Sequence, residues 1–254
     1  MKKVLVLVPF PMSDTNRTLR SAQVDAVNLG PDIQFEYRSV RAAPRNYISA
    51  SDLALADIGM LEAGLEAEAE GYDAVCIDTV SDSGVAALRS ELSIPVIGPG
   101  RTAILTAMML GNRFSIVTMW EHWRHLYQRT LNELGLAHAC ASIRSLDIAP
   151  DNQALMTGKE EQIFPALNEM AQSCISKDRA EVIILGSTTM HQSHAYLQER
   201  LSVPVINPGP LSYKIAETLL GLGLTHSRKA YPVTHVRRHE LLHAMFECAA
   251  DFKH

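Results

Sequence analysis

The chain has 254 residues, 47% hydrophobic and 20% charged, with 14 Gly and 12 Pro; this suits one large folded domain or two small ones and excludes a disordered, collagen-like or disulfide-stapled protein. Its 23 Lys and Arg stand against 28 Asp and Glu, a formal charge of −5, so there is no basic footprint for nucleic acid. Four cysteines (Cys76, Cys140, Cys174, Cys248) have no C-x-x-C spacing, and three sit among apolar neighbours, the pattern of reduced, buried thiols in a cytoplasmic protein.

The N-terminal run MKKVLVLVPFPM is too short to span a membrane and has no small-residue cleavage site, so it reads as a first strand; no other apolar run reaches transmembrane length. In chain order the pattern predicts a strand at 4–9, a weak helix at 20–29, a strand at 33–40 and a helix at 52–70. A strand at 74–79, a helix at 84–92, a strand at 95–98 and a helix at 102–110 follow. The second half reads as a strand at 114–119, a helix at 121–134, a strand at 141–146 and a helix at 160–176. It continues with a strand at 182–185, a helix at 192–201, a strand at 203–207 and helices at 211–222 and 236–252. Strands apolar on both faces and interleaved with helices define an α/β chain with mainly parallel sheets covered by helices.

An internal duplication divides the chain. Residues 71–100 read GYDAVCIDTVSDSGVAALRSELSIPVIGPG, and residues 180–210 read AEVIILGSTTMHQSHAYLQERLSVPVINPGP. Each is a buried strand, a hydroxyl residue (Thr79 or Ser187), a helix and a proline-closed turn; Pro95 and Pro204 follow the hydroxyls by 16 and 17 residues. Two units of one design predict two similar lobes related by a pseudo-twofold, 1–98 with 208–254, and 99–207. Ligands of open α/β sheets bind beyond the carboxyl ends of the strands, so Thr79 and Ser187 are expected to flank one cleft from opposite sides.

With these paired strand-end motifs, the PVIG after the first helix and the RFSIVT strand, the chain resembles the aspartate/glutamate racemase superfamily, nearest its hydantoin and allantoin racemase branch. The resemblance spans roughly residues 1–224. It implies a cofactor-independent, metal-free isomerase that moves a proton at a carbon α to a carbonyl of a small carboxylate, amino-acid derivative or cyclic amide. It also implies a homo-oligomer. In that family a cysteine closes each strand, one thiol per face of the substrate. Here Thr79 stands in CIDT and Ser187 in the Gly-Ser pair, so both catalytic cysteines are replaced; Cys76 lies three residues earlier, directed into a packed face. A hydroxyl is a far weaker acid than a thiol of pKa about 8.5 and needs another group to take its proton.

Candidate groups lie close in sequence. Asp78 precedes Thr79; Asp82 is expected in the first turn of the next helix, as an acid/base group or, with Ser81, as an ordinary helix cap. His191, four residues after Ser187, would share its face of an α-helix and could accept its proton, or is a solvated histidine; His194 is expected at the surface. Backbone N–H groups after Thr79 and Ser187 are expected to open helices toward a carboxylate or enolate. Val80, Ser81, Thr118 and Thr188 are expected to line the substrate. The Pro9-Phe10-Pro11 turn and Ser13 replace the family's Asn-Pro-Asn turn, suggesting a less polar substrate. Trp120, His122, Trp123, Arg124 and Tyr127 open a helix and form either a pocket wall, with Arg124 as a carboxylate partner, or a helix with aromatics packed inward.

Residues 239–243, His-Glu-Leu-Leu-His, match the H-E-x-x-H pattern of zinc hydrolases, but no third ligand is indicated and a solvated helix face is the simpler reading. Gly98-Pro99-Gly100 and Asn207-Pro208-Gly209 are turns, not phosphate loops. The leading expectation is a racemase or isomerase using Thr79 and Ser187 with Asp78, Asp82 or His191. The alternatives are a hydrolase or lyase with Ser187 activated by His191, and a silent small-molecule-binding protein.

Overall fold

The apolar runs pair into two four-stranded parallel sheets in a computed structural model that describes residues 1–44, 46–149, 163–236 and 239–250. The chain divides into two units, Met1–Gly98 with Tyr213–His254, and Pro99–Ser212. The first unit holds β1 (Lys2–Val8), β2 (Ile33–Ser39), β3 (Ala74–Ile77) and β4 (Val96–Ile97) in the order β2-β1-β3-β4. The second holds β5 (Phe114–Thr118), β6 (Cys140–Ser145), β7 (Val182–Leu185) and β8 (Val205–Ile206) in the matching order β6-β5-β7-β8.

β3, β5 and β7 are buried along their whole length and β1 from Val4 onward; of the edge strands, β2 and β6 are half-buried and the two-residue β4 and β8 are buried. Central strands covered on both faces need apolar residues at every position, which is why they read as continuous runs. The registers correspond too: Leu7 pairs with Ile77 and Cys76 with Ile97, while Val117 pairs with Leu185 and Ile184 with Ile206. Cys76 is fully buried beside Val4, Val6, Ile97 and Tyr213, the packed position expected of it.

Several helices differ from expectation at their ends. In place of a helix at 20–29, α1 (Asp14–Ser21) starts at a Ser13 cap, whose Oγ accepts the Asn16 N–H at 3.3 Å, and a 3-10 turn, Ala22–Ala26, follows. A capping box of Ser49 and Asp52 starts α2 (Ala50–Gly64), which ends before the predicted 70. Next come α3 (Val85–Glu91), α4 (Pro99–Leu110), the 3-10 turn Glu121–Trp123 and α5 (Arg124–Leu134). α6 (Phe164–Ser176) takes most of the predicted 160–176, of which 160–162 lie outside the described residues. A 3-10 turn, Thr188–Gln192, leads into α7 (Ser193–Gln198), and α8 (Pro208–Leu222) and α9 (His239–Ala250) complete the chain. Of the predicted 236–252, residues 237–238 and 251–252 lie outside the described residues.

Candidate active site

In the first unit the β3 ladder stops at Ile77, and Asp78 adds one more sheet bond, its N–H donating to Leu7 O at 2.9 Å. Thr79 then opens a loop. It is partly exposed, whereas Asp78, Val80 and Ser81 around it are buried. Its Oγ1 lies 3.0 Å from Ser81 Oγ, which lies 2.9 Å from Ser83 Oγ, a chain of three hydroxyls that ends on a fully buried serine.

Asp82 is neither in the first turn of α3 nor its cap. Its backbone is left-handed, with φ 54°, and the N-cap position belongs to Gly84, with φ 78° and its N–H donated to Asp57 Oδ1 at 2.8 Å. Only glycine fits there, because a Cβ at 84 would lie 2.6 Å from Met60 Cβ as well as at an unfavourable φ. The Asp82 carboxylate covers Gly98, where a Cβ would lie 2.6 Å from Asp82 Cγ. A loop, not a helix N-terminus, therefore follows Thr79.

Asp78 does not fit the expected role of an acid/base group. Its carboxylate is buried and bound by Arg20 Nε at 2.5 Å and by the Gln23 amide at 3.3 and 3.4 Å. Arg20 also donates to the Asp78 carbonyl at 3.1 Å. Nearby, Tyr37 donates to the Tyr213 hydroxyl at 2.8 Å; burial, then Asp78 and Tyr37, push the Tyr213 phenol well above its usual pKa. Sequence patterning missed Arg20, Gln23, Tyr37 and Tyr213. A carboxylate directly after a buried strand signals that a partner must exist, but not which one.

At the end of β1, Phe10 stacks on Tyr47 with centroids 5.5 Å apart, and the Tyr47 hydroxyl donates to Pro9 O at 2.7 Å. Pro11 and Ser13 are exposed, and Ser13 serves as the α1 cap described above.

In the second unit Ser187 stands two residues past Leu185, as Thr79 does past Ile77. It too is partly exposed between buried neighbours, Gly186 and Thr188. Its Oγ lies 2.7 Å from Thr189 Oγ1 and accepts the Thr189 N–H at 3.2 Å, capping the 3-10 turn. Because that turn has three residues per turn, residue 190 and not His191 falls above Ser187, so the shared-face premise for a Ser187–His191 pair is lost. The His191 carbonyl accepts from Asn207 Nδ2 at 3.3 Å. His194, expected at the surface, is half-buried with Nε2 3.0 Å from Val205 O.

Beneath Ser187, Thr118 and Tyr127 are both buried. The Thr118 hydroxyl lies 2.6 Å from Tyr127 Oη, and Tyr127 donates to Gly186 O at 2.6 Å. A Cβ at Gly186 would lie 2.7 Å from Tyr127 Oη. Trp123 and Tyr127 pack inward, while Trp120 is half-buried, edge-on to His122 at 4.7 Å. Arg124 is not a free carboxylate partner: its guanidinium pairs with Glu121, NH2 to Oε2 at 3.0 Å.

The H-E-x-x-H face is docked rather than solvated. His239 Nδ1 lies 2.8 Å from Glu66 Oε1 and its Nε2 3.6 Å from Glu91 Oε2; His243 Nδ1 lies 3.4 Å from Glu62 Oε1. Arg41 also pairs with Glu62. His243 Nε2 also approaches Glu66 Oε1, at 4.0 Å, so both rings lie against that carboxylate, just past the end of α2, and each reaches a second one, Glu91 of α3 or Glu62 of α2. Among the described residues no group of three His, Cys, Asp or Glu is arranged to hold a metal ion.

Two parallel sheets of one strand order, each with a partly exposed hydroxyl two residues past its third strand, make this a duplicated α/β protein. A family profile described as Asp/Glu/Hydantoin racemase matches residues 18–216, and the chain belongs to that family, which places it among the racemases, a class of isomerase. It is 30% identical to a hydantoin racemase of Rhizobium meliloti over 192 residues, 74% of this chain and 78% of the relative. It is 30% identical to a hydantoin racemase of Pseudomonas sp. (strain NS671) over 202 residues, 78% of each. Among solved structures, the allantoin racemase from Klebsiella pneumoniae superposes with a TM-score of 0.84 at 26% identity, covering 93% of this chain and 95% of that one.

Proposed function

We propose that the chain is a cofactor-independent racemase for a small carboxylate, amino-acid derivative or cyclic amide, acting through proton transfer at the carbon α to a carbonyl without catalytic thiols. The observation that carries this reading is the correspondence of Thr79 and Ser187: same sheet position, same partial exposure amid buried neighbours, each hydrogen-bonded to a further hydroxyl. In this reading each hydroxyl donates to a substrate oxygen that gains charge as the α-proton leaves. Asp82 and His191 supply the proton-accepting and proton-donating groups that hydroxyls lack. Phe10, Pro11, Val80, Ser81, Trp120 and Thr188 shape the surroundings.

The same reading takes the protein as cytoplasmic and homo-oligomeric. Four free cysteines suit a reducing compartment, and among the described residues no helix is long and apolar enough to cross a membrane. The hydantoin and allantoin racemases among its relatives make five-membered cyclic ureides the first substrates to test.

The test is solvent exchange. Enantiopure 5-isopropylhydantoin, allantoin and a panel of amino acids are incubated with the protein in D2O, and loss of the α-proton is followed by NMR alongside loss of optical activity. Exchange that disappears in Ser187→Ala and in Thr79→Ala, with melting temperature preserved, is the expected result. A substrate turned over without α-exchange, or an acyl adduct trapped on Ser187, would overturn it.

A further inference from the structure

We propose that Arg20 is a positioning residue for Thr79, acting through Asp78. The proposal rests on the reading of Thr79 as part of the site. Arg20 extends from α1, is 7% exposed, and grips two different atoms of one residue: its Nε bonds the Asp78 carboxylate at 2.5 Å and its NH2 the Asp78 main-chain carbonyl at 3.1 Å. That carbonyl belongs to the peptide that joins Asp78 to Thr79. The grip therefore fixes the plane from which Thr79 leaves the sheet. Gln23, from the 3-10 turn after α1, holds the same carboxylate and also donates to the Arg20 main-chain carbonyl at 3.4 Å, so the amide ties the carboxylate back to the backbone that carries the guanidinium.

The loop beyond leaves the ladder at Ile77 and passes through left-handed conformations at Asp82 and Gly84; its backbone bonds include the Asp82 N–H to Thr79 O at 3.1 Å and the Val85 N–H to Asp82 O at 3.2 Å. A guanidinium suits the task where an ammonium does not, because its planar fork presents several donors in fixed directions. Neutralised by Asp78, Arg20 orders the strand end without placing a net charge behind it. Site groups that sit an ångström out of place lose orders of magnitude in rate, so a device spent on one peptide plane has a kinetic effect larger than its bulk suggests.

Three variants test this: Arg20→Lys, which keeps the charge and loses the fork; Arg20→Gln/Asp78→Asn, which removes both charges together so that no buried ion is left alone; and Thr79→Ala. Three readouts are taken: melting temperature, the exchange rate of the Asp82 amide by NMR on 15N-labelled protein, and kcat and KM for α-proton exchange of 5-isopropylhydantoin. In Arg20→Lys the Asp82 amide is expected to exchange about tenfold faster while amides of β1 do not change, and kcat to fall about 10- to 100-fold with KM within about twofold. The neutral pair is expected to recover melting temperature but not kcat. Wild-type Asp82 exchange in Arg20→Lys, or a neutral pair that recovers kcat together with stability, overturns the proposal. Full turnover by Thr79→Ala, or no turnover by the parent protein, overturns the reading of the site instead, and Asp82 exchange then decides the role of Arg20 by itself.

Discussion

Tyr127 donates its hydroxyl proton to the main-chain carbonyl of Gly186, 2.6 Å away, and so ties α5 to the residue that precedes Ser187. Thr118 completes the arrangement from the end of β5, and Gly186 has no side chain because one would collide with the phenol. Removing the hydroxyl leaves a buried carbonyl and a buried threonine without their partner. Tyr127→Phe is expected to lose about 1–3 kcal/mol of stability, measured by urea unfolding. The same variant is expected to slow α-proton exchange about tenfold by releasing the peptide before Ser187.

Replacing the strand-end hydroxyls by thiols tests how much of a two-thiol site the scaffold retains. Thr79→Cys/Ser187→Cys is expected to raise racemisation of 5-isopropylhydantoin, with a rate that climbs toward a thiol pKa of about 8.5 or lower. Single alanine changes at either position are expected to cut the parent activity about 100-fold or more with the fold intact. A double-cysteine protein that folds but gains nothing would count against Thr79 and Ser187 as positions that handle the proton.

Acid sensitivity is expected from the second unit. The Asp178 carboxylate is held down to a pKa of about 2, from 3.8, chiefly by hydrogen bonds from Arg144 and also by Ser142. A depressed carboxylate pKa contributes stability that is complete above the unfolded value and lost as pH falls through the folded one, here from about 4 down to about 2. Because Arg144 is 36% exposed, solvent screens the pair, and Asp178→Asn is expected to cost about 1 kcal/mol at pH 7. The difference from the parent protein in urea unfolding is expected to shrink as pH falls through that window.

The C-terminal helix offers a sharp contrast of outcomes. If α9 is held by contacts of His239 and His243 with Glu62, Glu66 and Glu91, His239→Ala should lower stability by about 0.5–1.5 kcal/mol and leave α-proton exchange unchanged. Prolonged EDTA treatment should alter neither quantity. Loss of exchange on chelation, restored by zinc, would return the H-E-x-x-H pattern to the chemistry.

What could be read from the sequence was whatever depends on short-range patterning. Eight apolar runs became eight strands, because a buried central strand such as Val182–Leu185 has no polar position to hide it. The duplication marked Thr79 and Ser187 as counterparts, and the registers agree. Misread features depended on residues distant in the chain. Asp78 and Arg20 are 58 residues apart, so nothing beside Asp78 announced that its charge is already taken. Asp82 was expected in the first turn because Ser81 and Asp82 resemble a cap, but the cap is Gly84, where a side chain would meet Met60, a residue distant in the chain. The solvated face assigned to His239 and His243 lies instead against Glu62 and Glu66, the latter 173 residues before His239.

The left-handed backbone of Asp82 makes its position a point of conflict for protein engineering. A side chain forced into that region costs about 1 kcal/mol, and asparagine tolerates it with less penalty while matching aspartate in shape. Libraries sorted for melting temperature alone are therefore expected to collect Asp82→Asn, a change that removes the carboxylate over Gly98. Turnover measured on those thermostable clones should decline as the substitution spreads. Heat resistance and catalysis would then pull this residue in opposite directions, so stabilising the enzyme for use calls for selection on both.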